Sequence, residues 1–306
     1  MTTPDRPPRQ STRPEEPEQA SPAQEEPSLF EKCHRFFDPS GDYAKLKQAD
    51  LYPYFRPIEE SEGSRAVMNG DELVMAGSNN YLGLTADPRV KEAAQEATAT
   101  YGTGCTGSRF LNGTLDLHLE LEEKLADFMG KEEAVLFSTG YMTNEGVLEA
   151  VAGRGDIIFS DKDNHACINA GAQKSLAETK RYRHNDFDHL RKMLKRAHEE
   201  RPDAGKLIAT DGVFSMSGKI ARVPDLLDLA DEFDAALMLD DAHAIGVIGD
   251  GGRGSASTFG RKDDVHLITG TFPNSFASIG GFCVGARDVV ETSRHEASTH
   301  RVSAHT

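Results

Sequence analysis

The chain has 306 residues, 38% of them hydrophobic, enough for one large domain and a small second one. Its formal net charge is −16, and so acidic a surface repels phosphate backbones, which excludes nucleic acid as a natural partner. Cys33, Cys105, Cys167 and Cys283 form no C-x-x-C pair and no zinc spacing, and there is neither an N-terminal apolar run nor an apolar stretch of about 18 residues. These features point to a cytoplasmic protein with reduced thiols, no signal peptide and no membrane span.

Residues 1–28 are dominated by Pro, Glu, Gln, Ser, Thr and Arg and read as a disordered tail, since they bury too little apolar surface to offset ordering entropy. Ser28 caps a short helix through Phe37, which begins an N-terminal arm or segment over residues 29–75. Asn69-Gly70, between Arg65–Met68 and Glu72–Ala76, signals a hairpin turn. From Pro88 onward helix and strand alternate. Pro88–Tyr101 is a predicted helix, and Leu115–Met129 a stronger one, with Leu117, Leu121, Leu125 and Phe128 on one face and Gly130 as C-cap. Short apolar strands follow at Ala134–Phe137, Asp156–Ser160, Leu207–Thr210, Ala236–Leu239 and Val265–Thr269, with helices at Phe187–Glu199 and Pro224–Phe233. Continuous apolar strands alternating with helices imply an α/β fold, a mainly parallel sheet between helix layers over residues 76–291. Such sheets bind ligands at the carboxyl ends of their strands. Residues 292–306 carry little apolar content and no periodicity, and are expected to form a tail foreign to that fold.

Polar groups gather where that rule directs. Leu239-Asp240-Asp241-Ala242-His243 follows one strand, and Asp161, Asp163 and His165 follow another. The two clusters allow a metal site, an acid paired with a heterocycle nitrogen, or simple turn capping by Asp241. Thr210–Gly218, with Ser215, follows a third strand and suits either a ligand contact or a self-capped turn. Gly102-Thr-Gly-Cys-Thr-Gly107 matches G-x-G-x-x-G literally, but a helix precedes it where a dinucleotide site needs a strand.

Together with Asn79-Asn-Tyr-Leu-Gly-Leu84, Tyr101–Thr114, Phe137-Ser-Thr-Gly-Tyr141 and Ile268-Thr-Gly-Thr271, these segments resemble the α-oxoamine synthase family. The likeness spans residues 51–291, and the glycine loop looks most like the serine palmitoyltransferase and 2-amino-3-ketobutyrate CoA ligase branches. The resemblance implies a PLP-dependent transferase of fold type I with a seven-stranded large-domain sheet. It also implies a biosynthetic acyl-CoA:amino acid C-acyltransferase that releases CO₂, and a homodimer. By the same resemblance Asp240 pairs with the pyridine nitrogen of pyridoxal 5′-phosphate (PLP), and His165 stacks on the ring. His243 and Ser215 bond the phenolate, Thr271 and the amides around Thr139, Gly140 and Tyr141 hold the phosphate, and Asn79 lies near the substrate carboxylate. No metal belongs to this scheme.

Two departures stand out. The family pattern T-F-S-K-[AS]-F reads Thr271-Phe-Pro273-Asn274-Ser-Phe276 here, so Asn274 takes the place of the Schiff-base lysine. An amide can neither form an imine nor act as a base near neutral pH, so PLP is expected to bind weakly and noncovalently. The resemblance also implies a small C-terminal domain after Glu291, where the foreign tail is expected instead, as a frameshift or premature stop would produce. Three outcomes follow for this chain: an active acyltransferase, a non-catalytic subunit in a heterodimer with an active homologue, or a decayed gene product.

Overall fold

The computed structural model describes residues 28–304; apart from Ser28, the expected disordered tail lies outside them. The chain divides into two compact units at Pro57/Ile58. In the first, a helical turn at Ser28–Phe30 leads into α1 (Glu31–Phe36), followed by α2 (Asp42–Gln48), and neither helix buries a residue. Aromatic edges hold this unit together: Tyr43 lies 5.0 Å from Phe37 and 5.2 Å from Tyr52, ring centre to ring centre.

The second unit opens with an antiparallel sheet of β1 (Glu60–Glu62), β2 (Arg65–Met68) and β3 (Asp71–Val74), so the hairpin belongs here and not to an arm. Asn69 and Gly70 take φ of 55° and 80°, the paired positive values that a two-residue hairpin loop demands. After α3 (Pro88–Tyr101) the Gly102–Gly107 stretch is a loop that opens no helix, which removes the dinucleotide reading. Gly113 is required there, since a Cβ on it would sit 2.1 Å from the carbonyl oxygen of Gly107.

Next come α4 (Asp116–Met129), β4 (Glu133–Phe137), α5 (Gly140–Val151), β5 (Ile157–Asp161), α6 (Ala166–Lys174), β6 (Glu178–Tyr182) and α7 (Phe187–Glu200). Then follow β7 (Lys206–Asp211), α8 (Val223–Phe233), β8 (Ala236–Asp240), α9 (Ser255–Thr258), β9 (Leu267–Thr271), α10 (Phe272–Ser275), β10 (Gly281–Gly285), α11 (Arg287–Glu296) and α12 (Ser298–Arg301). Seven strands form one sheet in the order β4-β10-β9-β8-β7-β5-β6; β5 to β9 run parallel, and β10 is antiparallel to both neighbours. Strand residues alternate between two apolar layers. Ile157, Phe159, Leu237 and Leu239 share one with Leu190 and Leu194 of α7 and Leu226 of α8. Ile158 and Met238 share the other with Val147 and Leu148 of α5 and Ile168 of α6. Each such side chain contributes roughly 1.5–3 kcal/mol of burial free energy, which explains why the strands are apolar on both faces.

Two expectations need correction. Only part of the predicted α4 stripe is core: Leu125 is buried and Phe128 packs against the core, but Leu117 and Leu121 remain 40% and 38% exposed and line an apolar groove of about 640 Å³ with Tyr101, Phe276 and Ile279. Beside Leu125 the helix buries His118, Glu122, Ala126 and Met129. Residues 292–304 are also not a foreign tail. They continue α11, form α12 and pack on α5 and β4. Periodicity missed them because their anchors are polar. Arg294 Nη1 reaches Glu122 at 2.9 Å, Arg109 grips the same carboxylate at 3.0 and 3.2 Å, and Thr299 Oγ1 donates to the carbonyl of Met142 at 2.9 Å. Burial pushes the Glu122 carboxyl up, but the two guanidiniums and the Leu136 amide outweigh it and hold it below its usual range. Among the described residues no helix is long and apolar enough to cross a membrane.

Candidate active site

Asp240 is the last residue of β8, His165 caps α6 just past β5, and Thr271 ends β9. Asn274 lies in the short α10 that follows, and Gly140 opens α5. The sheet thereby delivers Asn79, Gly140, Tyr141, His165, Asp240, His243, Thr271 and Asn274 to one cavity of about 210 Å³. Its floor is buried, formed by Asp240, Asp211, Asn144, Cys167 and Asn274, whereas Asn79, Tyr141 and His165 form an exposed rim.

Asp240 is tightly held. Its Oδ2 accepts from Asn144 Nδ2 at 2.6 Å and its Oδ1 from the Ala242 amide at 3.0 Å. Asn144 Oδ1 accepts in turn from Thr269 Oγ1 at 2.8 Å, so one amide ties α5 to β8 and β9. Burial pushes the Asp240 carboxyl up, partly offset by these donors. Asp211, at the end of β7, is pushed up to about 8 by burial and by Asp240. Its Oδ2 accepts from the His165 amide at 3.1 Å. The Cys167 amide donates to His165 Nδ1 at 3.3 Å, which leaves Nε2 to carry the ring proton, and Cys167 Sγ lies 2.8 Å from the same Nδ1. Tyr81 Oη lies 2.7 Å from His243 Nδ1, and burial lowers the pKa of His243, so that imidazole is neutral near pH 7.

Asn274 is fully engaged. Nδ2 donates to the Ala242 carbonyl at 2.8 Å and lies 3.4 Å from His243 Nδ1, while Oδ1 accepts from Asn79 Nδ2 at 3.3 Å. Beside it, Gly140 presses against β9 so closely that a Cβ would sit 2.5 Å from Thr271 Oγ1. The first amides of α5 point where no intrahelical acceptor exists, an anion-binding arrangement.

Two sequence-predicted residues stand apart. Ser215 is exposed and does not line the cavity. Thr139 caps α5 through Oγ1 to the Met142 amide at 3.1 Å and acts behind the cavity wall. Asp241 turns away: its carboxylate accepts from Ser255 Oγ at 2.5 Å and from the Ser255 amide at 2.9 Å, so it caps α9 and not the turn that follows it. Among the described residues no three His, Cys, Asp or Glu side chains come together as a metal site would require. Asn144, Cys167 and Tyr81 went unread. Asn144 carries a usable signal, a polar residue one turn after Gly140 on the helix face that meets the strand ends.

Comparison with known proteins places this geometry. Residues 72–306, including the segment expected to be foreign, match the family model for aminotransferase class I and II. A serine palmitoyltransferase of Sphingobacterium spiritivorum is 51% identical over 260 residues, covering 85% of this chain and 64% of that protein. An 8-amino-7-oxononanoate synthase of Geobacter sulfurreducens is 44% identical over 252 residues, covering 82% and 64%. The chain thus spans about two thirds of the length of these relatives. A solved serine palmitoyltransferase from S. paucimobilis, a lysine-to-alanine variant with bound PLP–myriocin aldimine, superimposes with a TM-score of 0.85 at 35% identity, covering 91% of this chain and 69% of that one. Sequence and fold agree that the chain belongs to the aminotransferase class I and II family, within its α-oxoamine synthase group, and has the PLP-dependent transferase fold of type I.

Proposed function

We propose that this site is that of a PLP-dependent acyl-CoA:amino acid C-acyltransferase of the α-oxoamine synthase type, in which Asn274 leaves the cofactor without a covalent anchor and the chain impaired or inactive on its own. The activity of the named relatives supports the reaction class, and the site residues fit the cofactor. A pyridinium N–H offers a positive partner to Asp240, a carboxyl that burial otherwise pushes toward its neutral form. The His165 ring, with its rim position, suits stacking. The start of α5 and Thr271 suit the phosphate, although Thr271 Oγ1 already donates to the Gly280 carbonyl at 3.1 Å and must rotate to do so. With Ser215 outside the cavity, His243, which lines it and pairs with Tyr81 Oη, is the better candidate for the phenolate. When bound, the cofactor supplies an electron sink for charge developing at the amino acid's α-carbon. Asn79 lies where it can orient the substrate carboxylate.

The single observation that carries the proposal is Asn274 itself. It occupies the site, is 7% exposed and commits its amide to three neighbours. An amide moves no proton near neutral pH, and general acid–base transfer contributes about 10²–10⁴-fold. A second reading, a subunit paired with a second copy or with a lysine-bearing homologue, draws support from the apolar groove beside α10, whose exposed leucines favour a protein partner.

Borohydride reduction with PLP followed by peptide mass spectrometry tests the first reading. The native chain should give no adduct at residue 274 and bind PLP reversibly, and Asn274→Lys should be trapped at that residue. A specific adduct on another lysine of the native chain would show that the anchor has moved and the reading is wrong. Co-purification with a lysine-bearing homologue would establish the paired subunit, and an insoluble, rapidly degraded chain would mark a decayed gene product.

A further inference from the structure

The cavity's charges are unbalanced in a way that names a ligand. Asp211 and Asp240 both line it, 5% and 6% exposed, and no lysine or arginine stands among the described lining residues. The imidazoles of His165 and His243 favour the ionised form of Asp240, but burial outweighs them. Burial pushes both carboxyls up, and the neighbouring Asp240 pushes Asp211 up further.

We infer that the site prefers the amine form of the cofactor, pyridoxamine 5′-phosphate, to the aldehyde form. This inference rests on the reading above that the cavity takes a phosphorylated pyridine. Two physical terms lead to it. A lysine at position 274 would condense with the aldehyde, forming a C=N bond and releasing water, and that bond is what makes the aldehyde form bind best in an anchored site. Asn274 has no such nucleophile, and its amide is already held by Ala242 and Asn79, so the aldehyde keeps no advantage. The amine form retains the phosphate and pyridinium and adds an ammonium. It therefore brings two positive groups to a cavity with two carboxyls, and a charge-assisted hydrogen bond is worth more than a neutral one.

Titration calorimetry of the full native chain in a buffer free of amines, with each form in turn, tests this. The amine form should bind about tenfold more tightly than PLP. Asn274→Lys should reverse the order, and Asp211→Asn should shrink the preference. If PLP binds the native chain as tightly as the amine form, or if Asn274→Lys binds PLP while the native chain binds neither form, the inference fails and the site reading survives. If neither form binds the native chain or Asn274→Lys, the site reading itself fails.

Discussion

The ends of β8 and β9 lie side by side in the sheet and differ in what they retain. At the end of β8, Asp240 keeps a complete hydrogen-bonded frame, with Asn144, the Ala242 amide and His243 all in reach of the cavity. At the end of β9, Thr271 and the short α10 keep their backbone course, but the residue aimed into the cavity is an amide. On the proposed reading, the difference teaches that recognition of a cofactor, at Asp240, and covalent capture of it, at position 274, fall to separate strands. One substitution can remove the second and leave the geometry of the first in place.

The sharpest way to break this comparison is at β8. Asp240→Ala should reduce affinity for either cofactor form by about 10²-fold, the scale of a lost charge-assisted bond. Removing a destabilised buried carboxyl offsets part of the cost of leaving Asn144 Nδ2 and the Ala242 amide without this acceptor, so the ligand-free chain should lose no more than about 1–3 kcal/mol. A larger loss would mean that Asp240 is structural. Asn144→Ala strikes the frame and not the ligand contact. It leaves Thr269 Oγ1 without its Asn144 acceptor and Asp240 without its shortest donor. It should cost about 1–3 kcal/mol in chemical denaturation.

Smaller and set by pH is the effect of Asp211. Its pKa lies near 8 in the folded chain and near 3.8 in a free carboxyl, so the folded state holds the proton more tightly. The stability this gives is fully present below about pH 4 and is lost as pH rises toward 8. Asp211→Asn, which stays neutral, should flatten that part of the melting-temperature profile, and differencing the two profiles cancels the histidines. A native profile parallel to that of the variant would remove Asp211 from the charge argument. Smallest of all is Asn274→Ala. If covalent capture is already gone, affinity for the amine form should change by no more than about threefold, roughly 0.7 kcal/mol.

The apolar strands were legible because burial on two faces leaves a continuous hydrophobic run, as in Leu237-Met238-Leu239. β6 was not: Glu178–Tyr182 is an edge strand with a mostly exposed face, and its composition resembles a loop. β10 was hidden by the glycines at both ends of Gly281–Gly285, although it is buried throughout. In the site, residues that follow strands directly were read from position alone. Cys167 lies on a helix, where only the assembled sheet shows which face meets the cavity. Tyr81 reaches His243 across 162 residues, a contact that no local pattern encodes. The C-terminal helices failed for a different reason: their hold on the body is ionic, through Arg294, and hydropathy does not register it.

The position of β10 has a consequence for how the chain is made. It wedges between β4 and β9, pairing Phe282 with both Leu136 and Gly270. On the ribosome β4 emerges about 150 residues before its partner, an interval of about 7–30 s at ordinary rates of synthesis. For that time an apolar strand waits with an open edge, the arrangement most prone to pairing with the wrong chain. The yield of folded protein should therefore depend on elongation speed and on chaperones that shield β4, more than on the final stability of the sheet.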